Sequence, residues 1–262
     1  MPESVARFLL KRRWIIRPGL ESNDPLAAVE QYIQVLQGYG KSITGKRILV
    51  FGYGGRFAVG VELLKRGAAH VVLCDHYVLL DKERNIELLS QYPDYLIATD
   101  RGVNPHPGFI SLLHGDIRDQ ATQMQVAAVD LVLSTSVYEH LSDVDGITRA
   151  LAGLTAPDGV QLHFVDMRDH YFKYPFEMLK FSETVWRSLL NPTSNLNRLR
   201  MQDYQNIFRR YFEKVDVHVL ARDEREFQKA LPSIRREFLT DDLLVDSSTL
   251  IRIVSESPLQ SK

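Results

Sequence analysis

The sequence predicts a doubly wound α/β domain with a seven-stranded sheet. Three observations carry that prediction. Short apolar runs of strand length alternate with segments of helical period, the first run ends in a glycine turn that opens a helix, and no Pro/Gly/Ser linker divides the 262 residues. Hydrophobic residues make up 45% of the chain, which supplies a core and excludes a disordered polymer. Lys and Arg number 32 and Asp and Glu 33, a net charge of −1, so no nucleic-acid or anionic-membrane partner is expected. One cysteine, Cys74, excludes an intrachain disulfide framework and a multi-thiolate metal site. Composition therefore fits a cytoplasmic protein.

The elements follow in order. Near the N-terminus, Phe8 to Leu10 and Trp14 to Ile16 are split by Lys11, Arg12 and Arg13, so no signal peptide is expected and Phe8, Leu9 and Trp14 should dock on the body. Residues 1–43 read as an N-terminal helical extension. Asp24-Pro25 starts its helix, Leu26, Val29, Ile33 and Leu36 recur at helical spacing, and Gly38 and Gly40 end it. Ile48 to Phe51 is a buried strand cut off by glycines. A helix from Phe57 to Lys65 and a second strand, His70 to Asp75, complete a βαβ unit. Leu79 to Ala98 reads as mostly helix interrupted at Pro93, and Asp100 to Gly108 as a loop. Phe109 to His114 is the third strand, followed by a helix to about Ala127. Asp130 to Ser134 is the fourth strand, Asp143 to Leu154 a helix, Ala156 to Gly159 a turn and Val160 to Val165 the fifth strand. Residues 167–200 are too long for a plain connection and read as a substrate-side insert or lid, with aromatics from Tyr171 to Trp186. Gln202 to Phe212 is a helix, Lys214 to Leu220 a strand, Asp223 to Leu239 largely helix, and Ser248 to Val254 the last strand.

In such sheets ligands bind beyond the carboxyl ends of the strands. After the first strand stands Gly52-Tyr53-Gly54-Gly55, where glycine permits positive φ and a close approach to the helix N-terminus. Asp75, 23 residues past Gly52, ends the second strand and is placed to accept hydrogen bonds from ribose hydroxyls. The pairing points to an adenosine-containing ligand. A dinucleotide fingerprint starting at Gly52 lacks its third glycine, because Phe57 stands there. The third strand ends in His114-Gly115-Asp116, a carboxylate able to take an adenine amino group, and the fourth places Ser134, Ser136, Tyr138 and His140 at the mouth of the sheet.

These residues resemble the class I S-adenosylmethionine-dependent methyltransferases over roughly residues 44–255. ILVFGYGG resembles the family's glycine motif, VVLCD its ribose-binding strand, LLHGDIRD its adenine-binding strand, and VDLVLSTSVYEHLSD its fourth strand and following helix. The resemblance implies a Rossmann-like, mainly parallel sheet with helices on both faces and the last strand antiparallel. It implies S-adenosyl-L-methionine as cofactor, with Gly52, Tyr53 and Gly54 along its methionine part, Asp75 at the ribose, Asp116 and Ile117 at the adenine, Ser134 below the sulfonium, and His76 also among the cofactor-binding residues. Val50 stands where the family carries an acid and Arg56 where it often carries a third glycine, so either cofactor binding is modified or the site is degenerate.

The implied activity is methyl transfer to the O, N or C atom of a small molecule. A base is needed only for a protonated acceptor. His140, Asp166 and His170 are the catalytic candidates, since histidine titrates nearest neutral pH. Tyr138, Arg198 and Arg200 are candidates for holding the acceptor, the arginines for an anionic group. His163, Asp166, Asp169 and His170 are ligand types that suit zinc or iron, but no metal-site spacing joins them, so no metal is expected. An NAD(P)-dependent oxidoreductase and a non-catalytic cofactor-binding or scaffold module of the same fold stay open, as does a homodimer.

Overall fold

The computed structural model describes residues 24–76, 80–100, 102–170, 172, 174–190 and 196–259. The expected docking of Phe8, Leu9 and Trp14, and the positions of Leu79 and Tyr171, lie outside them. The sheet has seven strands: β1 (Arg47–Phe51), β2 (His70–Asp75), β5 (Ile110–His114), β6 (Val129–Thr135), β7 (Thr155–Asp166), β8 (Phe212–Arg222) and β9 (Ser248–Pro258). Their order is β5-β2-β1-β6-β7-β9-β8. All pairings from β5 to β7 are parallel, and the last strand runs antiparallel between β7 and β8. Strand order reverses between β1 and β6, so the switch point falls beside the glycine turn, where this architecture binds ligands.

Both faces of the sheet are buried, which is why β1, β2 and β6 read as unbroken apolar runs. One face carries Ile48, Val50, Val71, Leu73, Leu131 and Leu133 against α1 (Pro25–Gly38) and α2 (Ala58–Lys65). The other carries Leu49, Phe51, Val72, Cys74 and Val132 against α5 (Val144–Leu154) and α6 (Met201–Phe208). The expected helix starts hold: the Asp24 carboxylate accepts the Ala27 N–H at 3.0 Å, and the Asp143 carboxylate accepts the Gly146 N–H at 2.9 Å. Residues 156–159 loop out of β7, because Thr155 pairs with Val129 and Val160 with Leu131. The Ala156 to Gly159 turn is thus carried inside the strand as a bulge.

Three expectations need correction. The helix expected over Leu79–Ala98 is only α3 (Lys82–Glu87); beyond Pro93 the chain forms a hairpin, β3 (Leu96–Thr99) with β4 (Gly102–Pro105), where part of a loop was expected. Leu96 and Val103 are core residues, and burying them from both arms favours the hairpin over a continued helix. After β5 the expected helix is one turn, α4 (Gln120–Gln123). Asp223–Leu239 is α7 (Glu224–Ala230) followed by two 3₁₀ turns, Leu231–Ser233 and Arg236–Phe238, because Pro232 cannot continue the helix.

The expected insert packs against a second segment of the chain. Its 3₁₀ turn Glu177–Lys180, short helix Glu183–Val185 and π turn Trp186–Leu190 share a core with the segment after β8. Phe176, Met178, Leu179, Trp186 and Leu196 pack on Phe227, Ala230 and Ile234. Two insertions distant in sequence therefore make one cap over the carboxyl ends of β7 and β8.

Candidate active site

The glycine turn is fixed by its neighbours. Gly52, Gly54 and Gly55 all have positive φ, at 81°, 67° and 84°, which side-chain-bearing residues rarely adopt. A Cβ on Gly52 would also collide with the Val137 side chain. Asp75 reaches across from β2 and accepts the Gly54 N–H at 3.0 Å, so the acid at 23 residues' spacing does meet the turn. Asn85 of α3, wholly buried, closes the other side: it accepts the Phe57 N–H at 2.9 Å and donates to the Gly55 carbonyl at 2.9 Å. Sequence reasoning missed Asn85, and a lone polar residue in a helix gives no signal of such a clamp. Tyr53 is buried, its ring nearly parallel to His114 and its hydroxyl 2.6 Å from His114 Nε2. Burial, with Asp75 nearby, pushes the phenol's pKa up.

At the end of β5, Asp116 is held by Arg118 through its Nε, 2.9 Å, and Nη2, 2.5 Å, and Arg118 continues to Asp143 at 2.8 Å. The Arg118 contacts hold the Asp116 carboxyl at about 2, below the usual range, so it is ionised at neutral pH. Ile117 is buried beneath, and His76 is exposed at the end of β2, with Asp116 in reach of its field. Val50 lies in the core between strands and meets no solvent.

On the β6–β7 side, several expected site residues lie inside the protein. Ser134 Oγ is 2.8 Å from His163 Nδ1, His163 Nε2 is 3.0 Å from Gln161 Oε1, and Gln161 Nε2 donates to Thr155 Oγ1 at 2.8 Å. This buried chain keeps His163 neutral, with its pKa lowered by burial to about 3. Tyr138 is fully buried, its ring 4.5 Å from that of His163 and 5.3 Å from Phe208. Ser134 and Tyr138 are thus core groups beneath the mouth.

The three catalytic candidates do come together. His140, on the 3₁₀ turn Tyr138–His140, has its ring 5.3 Å from His170, and His170 Nε2 lies 3.6 Å from Asp166 Oδ2. Arg168 binds the same carboxylate through Nε at 2.9 Å and Nη2 at 2.5 Å. Burial alone would raise Asp166, but the bonds from Arg168 and His170 outweigh it and hold the carboxyl well below the usual range. Ser136, just upstream, has φ 56°, a strained backbone of the kind stored at functional sites. Asn197 braces the turn: its Nδ2 donates to the Tyr138 carbonyl at 2.7 Å and the Leu141 carbonyl at 3.0 Å.

The expectation for Arg198 and Arg200 needs correcting: neither presents its guanidinium to the surface. Arg198 is 3% exposed; it donates to the Met178 and Phe181 carbonyls at 3.1 and 2.7 Å, pairs with Glu183 and lies over the Trp186 and Phe238 rings. Arg200, 6% exposed, donates to the carbonyls of Met167, Asp246 and Ser248. Arg198 braces the cap from within, and Arg200 ties its end to the sheet. Desolvation, which sequence cannot display, made them structural. Among the described residues no three His, Cys, Asp or Glu side chains form a metal-binding group, and no helix is long and apolar enough to cross a membrane.

No family model and no curated protein matches the chain. Solved structures do. A chain of the complex between the Haloferax volcanii Trm112 methyltransferase activator and a methyltransferase is similar over 97% of this chain and 98% of its own, at 15% identity and TM-score 0.53. An S-adenosylmethionine-dependent methyltransferase from Mesorhizobium loti matches over 88% and 99%, at 15% identity and TM-score 0.51. The Haemonchus contortus phosphoethanolamine N-methyltransferase 2, solved with S-adenosyl-L-methionine, matches over 97% of this chain and 60% of its own, at 13% identity and TM-score 0.54. The chain has the class I S-adenosylmethionine-dependent methyltransferase fold.

Proposed function

We propose that the chain binds S-adenosyl-L-methionine at the β1–β2–β5 mouth and transfers its methyl group to a small molecule at the β6–β7 mouth. The observation that carries this reading is the Asp75–Gly54 contact at the switch point, with the His140–His170–Asp166 group two strands away at the same end of the sheet. The nucleoside half fits the cofactor. Asp75 is partly exposed beside the positive-φ turn, where a ribose diol can reach it, and Ile117 offers an apolar floor for adenine. The methionine half fits less well, because buried Val50 offers no charge to an ammonium group. Binding therefore rests on the nucleoside half. Cys74, a free buried thiol, suits a reducing compartment, and the proposal includes the cytoplasm.

When bound, the cofactor supplies an electrophilic methyl carbon. The chain's residues would orient the acceptor and take its proton. Asp166, fixed by Arg168, orients the His170 ring, and His140 beside it is the proposed base; a positioned base contributes on the order of 10²–10⁴ in rate. Calorimetric titration with S-adenosylhomocysteine tests the reading: saturable binding is expected, and Asp75→Ala should weaken it about 10- to 100-fold, the loss of a charge-assisted hydrogen bond. No binding to the intact chain would refute it. Val50 also supports a second reading, a module that binds the cofactor without turnover, which binding with no methyl transfer to any acceptor would favour.

A further inference from the structure

The three members of the proposed catalytic group reach the mouth of the sheet on two different elements. Asp166 ends β7 and His170 follows it four residues on, and the contacts of Arg168 and His170 with the Asp166 carboxylate fix them locally. His140 comes from the 3₁₀ turn Tyr138–His140 after β6. How its ring meets that of His170, 5.3 Å away, therefore depends on what holds the turn. On the core side Tyr138 roots it against His163. Its carbonyls go to one residue. Asn197 Nδ2 donates to the Tyr138 and Leu141 carbonyls at 2.7 and 3.0 Å, and the Asn197 backbone N–H donates to the Glu139 carbonyl at 2.9 Å.

The other half of the Asn197 amide is engaged as well. Oδ1 accepts the Leu199 N–H at 3.0 Å and the Tyr204 hydroxyl of α6 at 3.2 Å. A primary amide has two donors and two acceptor lone pairs, so this side chain is saturated and its orientation is fixed. The residues on either side of Asn197 belong to the cap. Leu196 packs in the cap core and its carbonyl accepts Trp186 Nε1 at 3.0 Å, and Arg198 donates to the Met178 and Phe181 carbonyls. Arg198 holds a φ of 64° and Ser136, upstream of the turn, a φ of 56°, so strained backbone flanks the contact on both segments. Such strain persists only where the surrounding structure over-determines it, and it gathers at functional sites.

Resting on the methyltransferase reading, we infer that Asn197 is the positioning residue of the acceptor half: it sets the His140 ring against His170 and passes the packing of the cap on to the proposed base. It acts through the backbone of the turn. Asp166 and His170 keep their relation by contacts within β7 and its end, so a loosened turn moves His140 away from a partner that stays in place. A misplacement on the order of 1 Å at a reacting group can cost on the order of 10²-fold in rate, which gives one saturated amide leverage over proton removal from the acceptor. The Asp75–Gly54 contact of the other half lies outside this chain of bonds.

Imidazole NMR of the full chain tests this. In the wild-type chain the ring protons of His140 and His170 should show a through-space cross-peak. Asn197→Ala should abolish it and displace the His140 ring resonances, while S-adenosylhomocysteine affinity stays within about threefold, because the two halves share no partner in this chain of bonds. Tyr92→Phe controls for lost stability alone. It removes a buried bond of 2.9 Å to Glu62 on the other face of the sheet, and should lower the thermal midpoint with the cross-peak intact. A cross-peak that survives in folded Asn197→Ala, that is lost in Tyr92→Phe as well, or that is missing from the wild-type chain would overturn the inference. If Asn197→Ala does not fold, Tyr204→Phe decides. It loses only the hydroxyl that donates to Oδ1 and should displace the His140 ring resonances, and unchanged resonances would overturn the inference. Failure of the wild-type chain to bind S-adenosylhomocysteine would instead strike the methyltransferase reading, whatever the cross-peak shows.

Discussion

The two halves of the sheet mouth are assembled by different means. On the β1–β2–β5 side, the groups proposed to face the cofactor sit on strand ends and the turns that follow, and hydrogen bonds fix them: Asp75 to Gly54, Arg118 to Asp116, Asn85 to Gly55. On the β6–β7 side, the His140–His170–Asp166 group is braced by Asn197, which follows Leu196 of a cap built on Phe176, Trp186, Phe227 and Ile234. A local motif keeps its geometry when distant parts loosen. A group held by long-range packing does not. The halves meet where Val137 covers Gly52.

Trp186→Ala should have the largest effect. Trp186 is buried in the cap, bonded to the Leu196 carbonyl at 3.0 Å, and its loss should cost about 3–5 kcal/mol in denaturant unfolding. Cofactor-product affinity should stay within about threefold; a large drop would erase the distinction between the halves. Gly52→Ala follows, at about 2–4 kcal/mol from the positive φ and the collision with Val137. Adding Val137→Ala should restore part of that in a double-mutant cycle, which measures the coupling across the seam.

His163 probes the buried chain beneath the acceptor half. Its pKa is depressed from 6.5 to about 3, so its contribution is present above pH 6.5 and is lost as pH falls towards 3. Stability should fall by about 1.4 kcal/mol per pH unit from this group between pH 6 and 4, and His163→Gln should remove that slope in urea titrations. Arg118→Ala should be the smallest change. The pair with Asp116 is part-exposed, so stability should move by less than about 1 kcal/mol, while the Asp116 carboxyl should titrate back towards the usual range by NMR.

The proposed cofactor half was legible because its signals are short. A glycine turn, an acid at fixed spacing and strand-length apolar runs are properties of neighbouring residues, and Gly52, Gly54 and Asp75 stand where the spacing put them. Asp116 was recognisable as a strand-end acid, but its bidentate hold on Arg118 was not, because side-chain pairing depends on how the turn bends. On the other side the sheet is covered on both faces, which put Ser134 and His163 in the interior, while His140 and His170 stand on the turns beyond the strands, where their rings meet.

The sequence by itself determined the seven strands of the main sheet and the glycine turn, since these follow from local periodicity and backbone preference. Tertiary structure alone decided that Arg198 and Arg200 are buried, that two insertions form one cap, and that the Glu139 carboxyl lies inside the protein. Burial is a property of what packs on a residue. A charged side chain reads the same in sequence whether water or protein surrounds it, and only the fold sets the desolvation that gives it a role.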